Sequence, residues 1–248
     1  MSFQSMQYSA AQKALERRNY REALEILFRV MKKDPGKPLA LESARKAARI
    51  AQFEIKDYLK AIECYRYIVL YSPNASERIS AQKSIGNLYF EKLLDYAQAI
   101  IEINRFLPLL PSKERSPYRL LLAKAESNLN NFDQALIEIE GIIKENPSQE
   151  VLFETLLFKG HILQSEKKLE GAISVFNLLI KKYPHRAKKE NVGLSLAICL
   201  EEKGEFSKAI NILETIKNFY PTPDFVQTRI NRLKDRMENL PGAQGFKR

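Results

Sequence analysis

The chain has 248 residues, of which 45% are hydrophobic and 28% charged, with a formal net charge of +10. That balance excludes a disordered chain, and nine Gly with eleven Pro exclude long flexible linkers. Two cysteines, Cys64 and Cys199, stand 135 positions apart, which argues against a disulfide framework or a cysteine zinc site. Residues 1–9 carry no charged leader followed by an apolar stretch, and no apolar run approaches the roughly 18 residues of a membrane span. The expectation is a soluble, cytoplasmic protein without membrane insertion.

One pattern recurs six times along the chain: an alanine, an apolar residue four positions on, another three later, and a proline five after that. In chain order the instances are Ala23-Leu27-Val30-Pro35, Ala61-Tyr65-Ile68-Pro73, Ala99-Ile103-Phe106-Pro111, Ala135-Ile139-Ile142-Pro147, Ala172-Phe176-Leu179-Pro184 and Ala209-Leu213-Ile216-Pro221. Offsets of 0, 4 and 7 fall on one helical stripe, and the proline stops the helix by its missing N–H and its ring. Three positions before each alanine stands a large residue: Tyr20, Tyr58, Tyr96, Phe132, Leu169 or Phe206. Four of these follow Asn19, Asp57, Asp95 and Asn131, side chains suited to capping a helix start.

Upstream of each turn lies a further helical stretch. It carries a small residue twelve or thirteen positions before the alanine: Ala11, Ala48, Gly86, Ala123, Gly160 or Ala197. Every unit therefore reads helix, turn, helix, proline, and the alanines repeat every 36–38 residues.

This arrangement resembles the tetratricopeptide repeat family, most clearly at Gly86, Tyr89, Ala99 and Pro111 of the third unit. The chain departs from the family pattern in having no Trp in the first helix and in units longer than the usual ~34 residues, a length similar to bacterial members. The resemblance implies an all-α, right-handed α-solenoid. Six repeats are expected at about residues 4–37, 41–75, 79–113, 116–149, 153–186 and 190–221. Beyond them, Thr222-Pro223-Asp224 begins a helix whose Val226, Ile230, Leu233, Met237 and Leu240 form one apolar stripe. A capping helix over 222–240 follows, and residues 241–248 are expected to be a disordered tail.

Chemistry-bearing motifs are scarce. His161 and His185 are 24 positions apart and make no metal pair, and no phosphate-binding glycine loop occurs. Gly193-Leu194-Ser195-Leu196-Ala197 has the spacing of a nucleophile elbow, yet it falls inside a predicted helix where Ala197 is the small packing residue. No catalytic residue, metal or cofactor is assigned, and the reading is non-enzymatic.

The family resemblance also implies a concave groove lined by the first helices. Carrying the family's groove positions onto this chain gives Arg45, Arg49 and Phe53, then Lys83, Asn87 and Phe90, then Lys124 and Asn128. These positions hold four cations and no acid, a composition that suits an extended acidic peptide held by charge-assisted hydrogen bonds. A second basic patch is expected from Arg186, Lys188 and Lys189 with Arg229, Arg232 and Arg236. Net charge runs +6 over residues 1–60, +2 over 61–120, −4 over 121–180 and +6 over 181–248. Such polarity steers an acidic partner and is compatible with a homo-oligomer.

The expected function is an interaction scaffold or adaptor for a protein partner, set in a bacterial regulatory, polarity or envelope-associated assembly, with small GTPases as partners by analogy. Nucleic-acid binding through the basic surface is the alternative. Against it, acids are interspersed with the cations, and groove aromatics do not recur once per unit as a stacking platform needs.

Overall fold

The computed structural model describes residues 3–239, and among these every regular element is helical. The tail expected over 241–248 lies outside the described residues. The chain forms two units, one ending at Asn131 and the other beginning at Phe132. Unit 1 holds α1 (Phe3–Glu16), α2 (Tyr20–Lys33), α3 (Pro38–Arg49), α4 (Tyr58–Tyr71), α5 (Ala75–Leu88), α6 (Tyr96–Phe106) and α7 (Ser112–Asn128). Unit 2 holds α8 (Phe132–Lys144), α9 (Gln149–Ser165), α10 (Leu169–Lys182), α11 (Pro184–Lys189), α12 (Val192–Glu202), α13 (Phe206–Lys217) and α14 (Pro223–Glu238). Within each unit, consecutive helices pack on one another as hairpins, the all-α solenoid architecture.

Small residues set the spacing of the hairpins. Ala23, Ala61, Ala99, Ala135, Ala172 and Ala209 are all fully buried, as are Ala11, Ala48, Ala123 and Ala197 of the first helices. The tightest approach is at Gly160, where a Cβ would lie 2.4 Å from Cε1 of Phe176. Only glycine fits against that ring. Around these contacts unit 1 builds a core from Leu27, Met31, Ile62, Ile68 and Ile85, continued by Ile103, Phe106 and Leu122. Unit 2 buries Phe153, Phe176, Leu179, Leu196 and Leu213, and α14 adds Val226, Ile230 and Leu233 to the same cluster. Each fully buried Leu, Ile or Phe contributes about 1.5–3 kcal/mol of transfer free energy.

The turns inside the hairpins share one device. The residue before the second helix's cap is left-handed in the five hairpins that lie within a unit, at Arg18, Lys56, Leu94, Lys167 and Gly204, and so is Asn130, which precedes Asn131. Asn19, Asp57 and Asp95 then accept from the N–H groups of Glu22, Lys60 and Gln98, which satisfies donors left over at the helix start.

Two hairpins end their first helix differently. Residues 50–55 and 89–93 form π-helical turns after α3 and α5. There the N–H of Asp57 reaches back six residues to Ala51 O at 2.8 Å, and that of Asp95 to Tyr89 O at 2.9 Å. Elsewhere the bond spans five residues, as from Asn19 to Ala14 and from Glu205 to Leu200, both at 2.8 Å. These two hairpins are the ones in which the small residue precedes the alanine by thirteen positions instead of twelve. One inserted residue widens a turn, and the packing register downstream is kept.

The short helix α11 was not expected from the sequence. Pro184, read as a stop for α10, sits at the first position of α11, where proline's fixed φ suits a helix start.

Candidate functional site

The expected partner-binding residues lie on the first helices of unit 1 and on the two π-turns that extend α3 and α5. Their cations fall into two groups. Arg45 is committed: its Nε and Nη2 donate to Glu77 of α5 at 2.6 and 2.9 Å, and Nη1 donates to Glu42 at 3.3 Å. The pairing raises the guanidinium pKa, and it holds the Glu77 carboxyl below the usual carboxylate range, helped by the Ser72 hydroxyl. Lys83 is committed too. Its Nζ lies 3.0 Å from Glu114 of α7 and 5.1 Å from the centroid of the Tyr118 ring.

These bonds belong to a ladder between successive first helices of unit 1. Tyr8 of α1 donates to Glu42 of α3 at 3.4 Å, Arg45 of α3 to Glu77 of α5, and Lys83 of α5 to Glu114 of α7. The sequence showed no acid at the groove positions. The acids enter from neighbouring positions one helix along, at separations of 31–34 residues that repeat arithmetic brings face to face.

Arg49 and Lys124 form the other group. Arg49 is exposed, Lys124 is half-buried, and neither has an acid partner among the described residues. Phe53, four positions after Arg49 and inside the first π-turn, is 60% exposed. Phe90, inside the second π-turn, packs edge-on against Tyr96 with ring centroids 5.5 Å apart, so it is partly spent on the fold. Asn87 is half-buried. Asn128 donates its side-chain N–H to Lys124 O at 2.8 Å, which turns the amide toward its own helix.

The second basic patch divides in the same way, within unit 2. Arg229 and Arg236 of α14 both pair with Glu201 of α12, at 2.7 and 3.3 Å. Arg186 donates to Glu154 of α9 at 3.1 Å and covers the Phe153 ring at 4.4 Å. Lys188 lies 3.9 Å from the centroid of Phe219, while Lys189 and Arg232 are exposed.

One polar site in unit 1 has no signature in the sequence. Glu102 of α6 is 1% exposed, yet it accepts from Arg66 of α4 at 3.0 Å, from Arg105 at 3.0 Å and from the Gln82 amide of α5. A glutamate one position before a core isoleucine gives no sign of burial, because two of its partners, Arg66 and Gln82, come from other helices. The motif around Ser195 lies within α12, and a Cβ at Gly193 would stand 2.7 Å from Ile216, so this glycine serves close helix packing. Cys64 and Cys199 are buried thiols, and burial pushes Cys199 up to about 11. Among the described residues no three His, Cys, Asp or Glu side chains converge as a metal site, and no helix is long and apolar enough to cross a membrane.

Comparison with known proteins agrees with the all-α repeat fold. The tetratricopeptide repeat family profile matches residues 192–223, which hold α12 and α13. Among solved structures, a tetratricopeptide repeat protein from Parabacteroides merdae is similar at 17% identity, covering 95% of this chain and 88% of its own, with a TM-score of 0.58. PilW, a widely conserved type IV pilus biogenesis factor, is similar at 15% identity over 93% of this chain and 99% of its own, with a TM-score of 0.58. YrrB, a repeat protein of the same class with an unusual peptide-binding site, is similar at 16% identity over 83% and 97%, again with a TM-score of 0.58. No curated protein sequence matches the chain.

Proposed function

We propose that this chain, a tetratricopeptide-repeat protein, is a non-enzymatic scaffold that holds an acidic segment of a partner protein on the first-helix face of unit 1. The observation that carries this reading is the separation of its cations. Arg45 and Lys83 are neutralised by Glu77 and Glu114, whereas Arg49 and Lys124 have no acid partner among the described residues, and the exposed Phe53 follows Arg49 by four positions.

An unpaired guanidinium can grip a carboxylate with two parallel hydrogen bonds, and an exposed ring offers an apolar anchor. The paired residues hold the helices that present them. The peptide-binding site of the similarly folded YrrB supports such a use of the architecture. The partner belongs to a regulatory, polarity or envelope-associated assembly in a bacterial cytoplasm, and small GTPases are one class to test.

The experiment is a binding titration with a set of fluorescent peptides rich in Asp, Glu and aromatic residues, on the wild type and on Arg49→Glu/Lys124→Glu. The proposal requires an affinity for acidic peptides that the double variant loses by at least about tenfold, which is about 1.4 kcal/mol. Equal affinity for both proteins overturns it.

A further inference from the structure

Residues 181–189, Lys181-Lys182-Tyr183-Pro184-His185-Arg186-Ala187-Lys188-Lys189, hold five cations and no acid. They run from the end of α10 through all of α11. Three residues fasten this segment inward. Ala187 is 2% exposed, Arg186 is bound to Glu154, and the Tyr183 hydroxyl donates to Gln149 Oε1 at 2.6 Å.

With Tyr183 and Arg186 bound to α9 and Ala187 buried, the remaining groups face outward. Lys181, Lys182, His185, Lys188 and Lys189 are all exposed, without an acid partner among the described residues. Lys188 touches Phe219 in the turn between α13 and α14, so the basic edge continues into exposed aromatics. Phe219 is 41% exposed and Phe225 is 48% exposed. The exposed acids Glu190 and Asp224 flank these two segments in sequence, one beside each.

We propose that this edge of unit 2 is a docking surface for an anionic lipid bilayer. The lysines meet the charged headgroups, and Phe219 and Phe225 enter the interfacial layer. Three features favour a bilayer over other polyanions. The free cations are lysines, compact charges on flexible stems that suit a diffuse layer of negative charge. The one arginine, whose planar fork would read a fixed phosphate or carboxylate, is already bound to Glu154.

The aromatic faces supply the third feature. Base stacking needs open rings, but Lys188 covers Phe219, and Phe225 stacks on Tyr220 at 6.1 Å and 25°. Lysines on one side and phenylalanines on the other are the composition of segments that lie in a membrane–water interface.

The test is co-sedimentation of the full chain with vesicles of phosphatidylcholine alone or mixed with phosphatidylserine, over a salt series. Each lysine near an anionic surface adds about fivefold to partitioning, so Lys181→Glu/Lys182→Glu/Lys188→Glu/Lys189→Glu lowers it by at least about a hundredfold. Phe225→Ser weakens it several-fold without changing charge. The equal charge change Arg17→Glu/Arg21→Glu/Lys37→Glu/Lys56→Glu in unit 1 leaves most of it intact. On the unaltered chain, phosphatidylserine vesicles shield Lys181–Lys189 from trypsin, a readout independent of variant folding.

Absence of binding to phosphatidylserine vesicles at low salt overturns the proposal. So does equal loss in the two charge-reversed variants, which reports net charge alone. Tighter binding of single-stranded RNA or polyglutamate than of the vesicles assigns the edge to another class of partner and overturns it as well.

Discussion

Arg45 of α3 holds Glu77 of α5 through two parallel hydrogen bonds, 2.6 Å from Nε and 2.9 Å from Nη2. A residue whose position suggested ligand recognition thus ties one first helix to the next. Arg45→Ala is expected to cost about 1 kcal/mol or less, since both side chains are partly exposed and solvent screens the pair. The urea midpoint should fall slightly while acidic-peptide affinity stays within about twofold of the wild type. A large loss of peptide affinity with an unchanged midpoint would reverse the assignment of Arg45.

The same pair carries a pH dependence. In the fold, the Arg45 guanidinium and the Ser72 hydroxyl hold the Glu77 carboxyl below its ordinary value. The unfolded chain therefore takes up the Glu77 proton first as the solution is acidified. The stabilisation is fully present above the ordinary carboxylate range, near pH ~4.3, and is lost as pH falls through the lower folded value. In melting curves taken across that range, Glu77→Gln should shrink the acid-side fall in Tm. An unchanged acid limb would show that other carboxylates govern it.

Leu94 is left-handed at φ 53° and 59% exposed, so it has backbone strain and little packing to offset it. Glycine adopts this conformation without a Cβ clash, at some entropic cost in the unfolded chain. Leu94→Gly should therefore stabilise unit 1 by about 0.5–1 kcal/mol, measured as a raised denaturant midpoint. A lowered midpoint would mean that the Leu94 side chain contributes packing in solution.

Gly160 gives the opposite case. An added methyl meets the Phe176 ring at 2.4 Å, so Gly160→Ala should overpack the α9–α10 hairpin and cost about 1–3 kcal/mol. Combining it with Phe176→Leu should recover part of that loss, since the clash is with the ring. Strict additivity of the two changes would place the strain elsewhere.

The hairpin plan was legible because packing residues recur: the six motif alanines and the small first-helix residues all mark helix contacts, and all are buried. The caps at Asn19, Asp57 and Asp95 were readable for the same reason, since short polar side chains at a helix start have one effective use.

What the sequence concealed depends on partners about one repeat away. Glu102 looks like any surface glutamate until Arg66, 36 residues earlier, is brought against it. The commitment of Arg45 and Lys83 was hidden likewise, because Glu77 and Glu114 lie outside the family's groove positions. The thirteen-residue spacing in the second and third hairpins was visible, but its absorption by a π-turn required the backbone. Left-handed Arg18, Lys56, Leu94 and Lys167 left no local signal, as only Gly204 and Asn130 are residue types that favour that conformation.

The most direct measurement is the affinity of acidic, aromatic-containing peptides for the wild type beside two charge reversals, Arg49→Glu/Lys124→Glu and Arg229→Glu/Arg232→Glu. Loss confined to the first variant, with wild-type affinity falling as salt rises, is the predicted result. Loss confined to the second, or none in either, would contradict the assignment of ligand capture to the unpaired cations of unit 1.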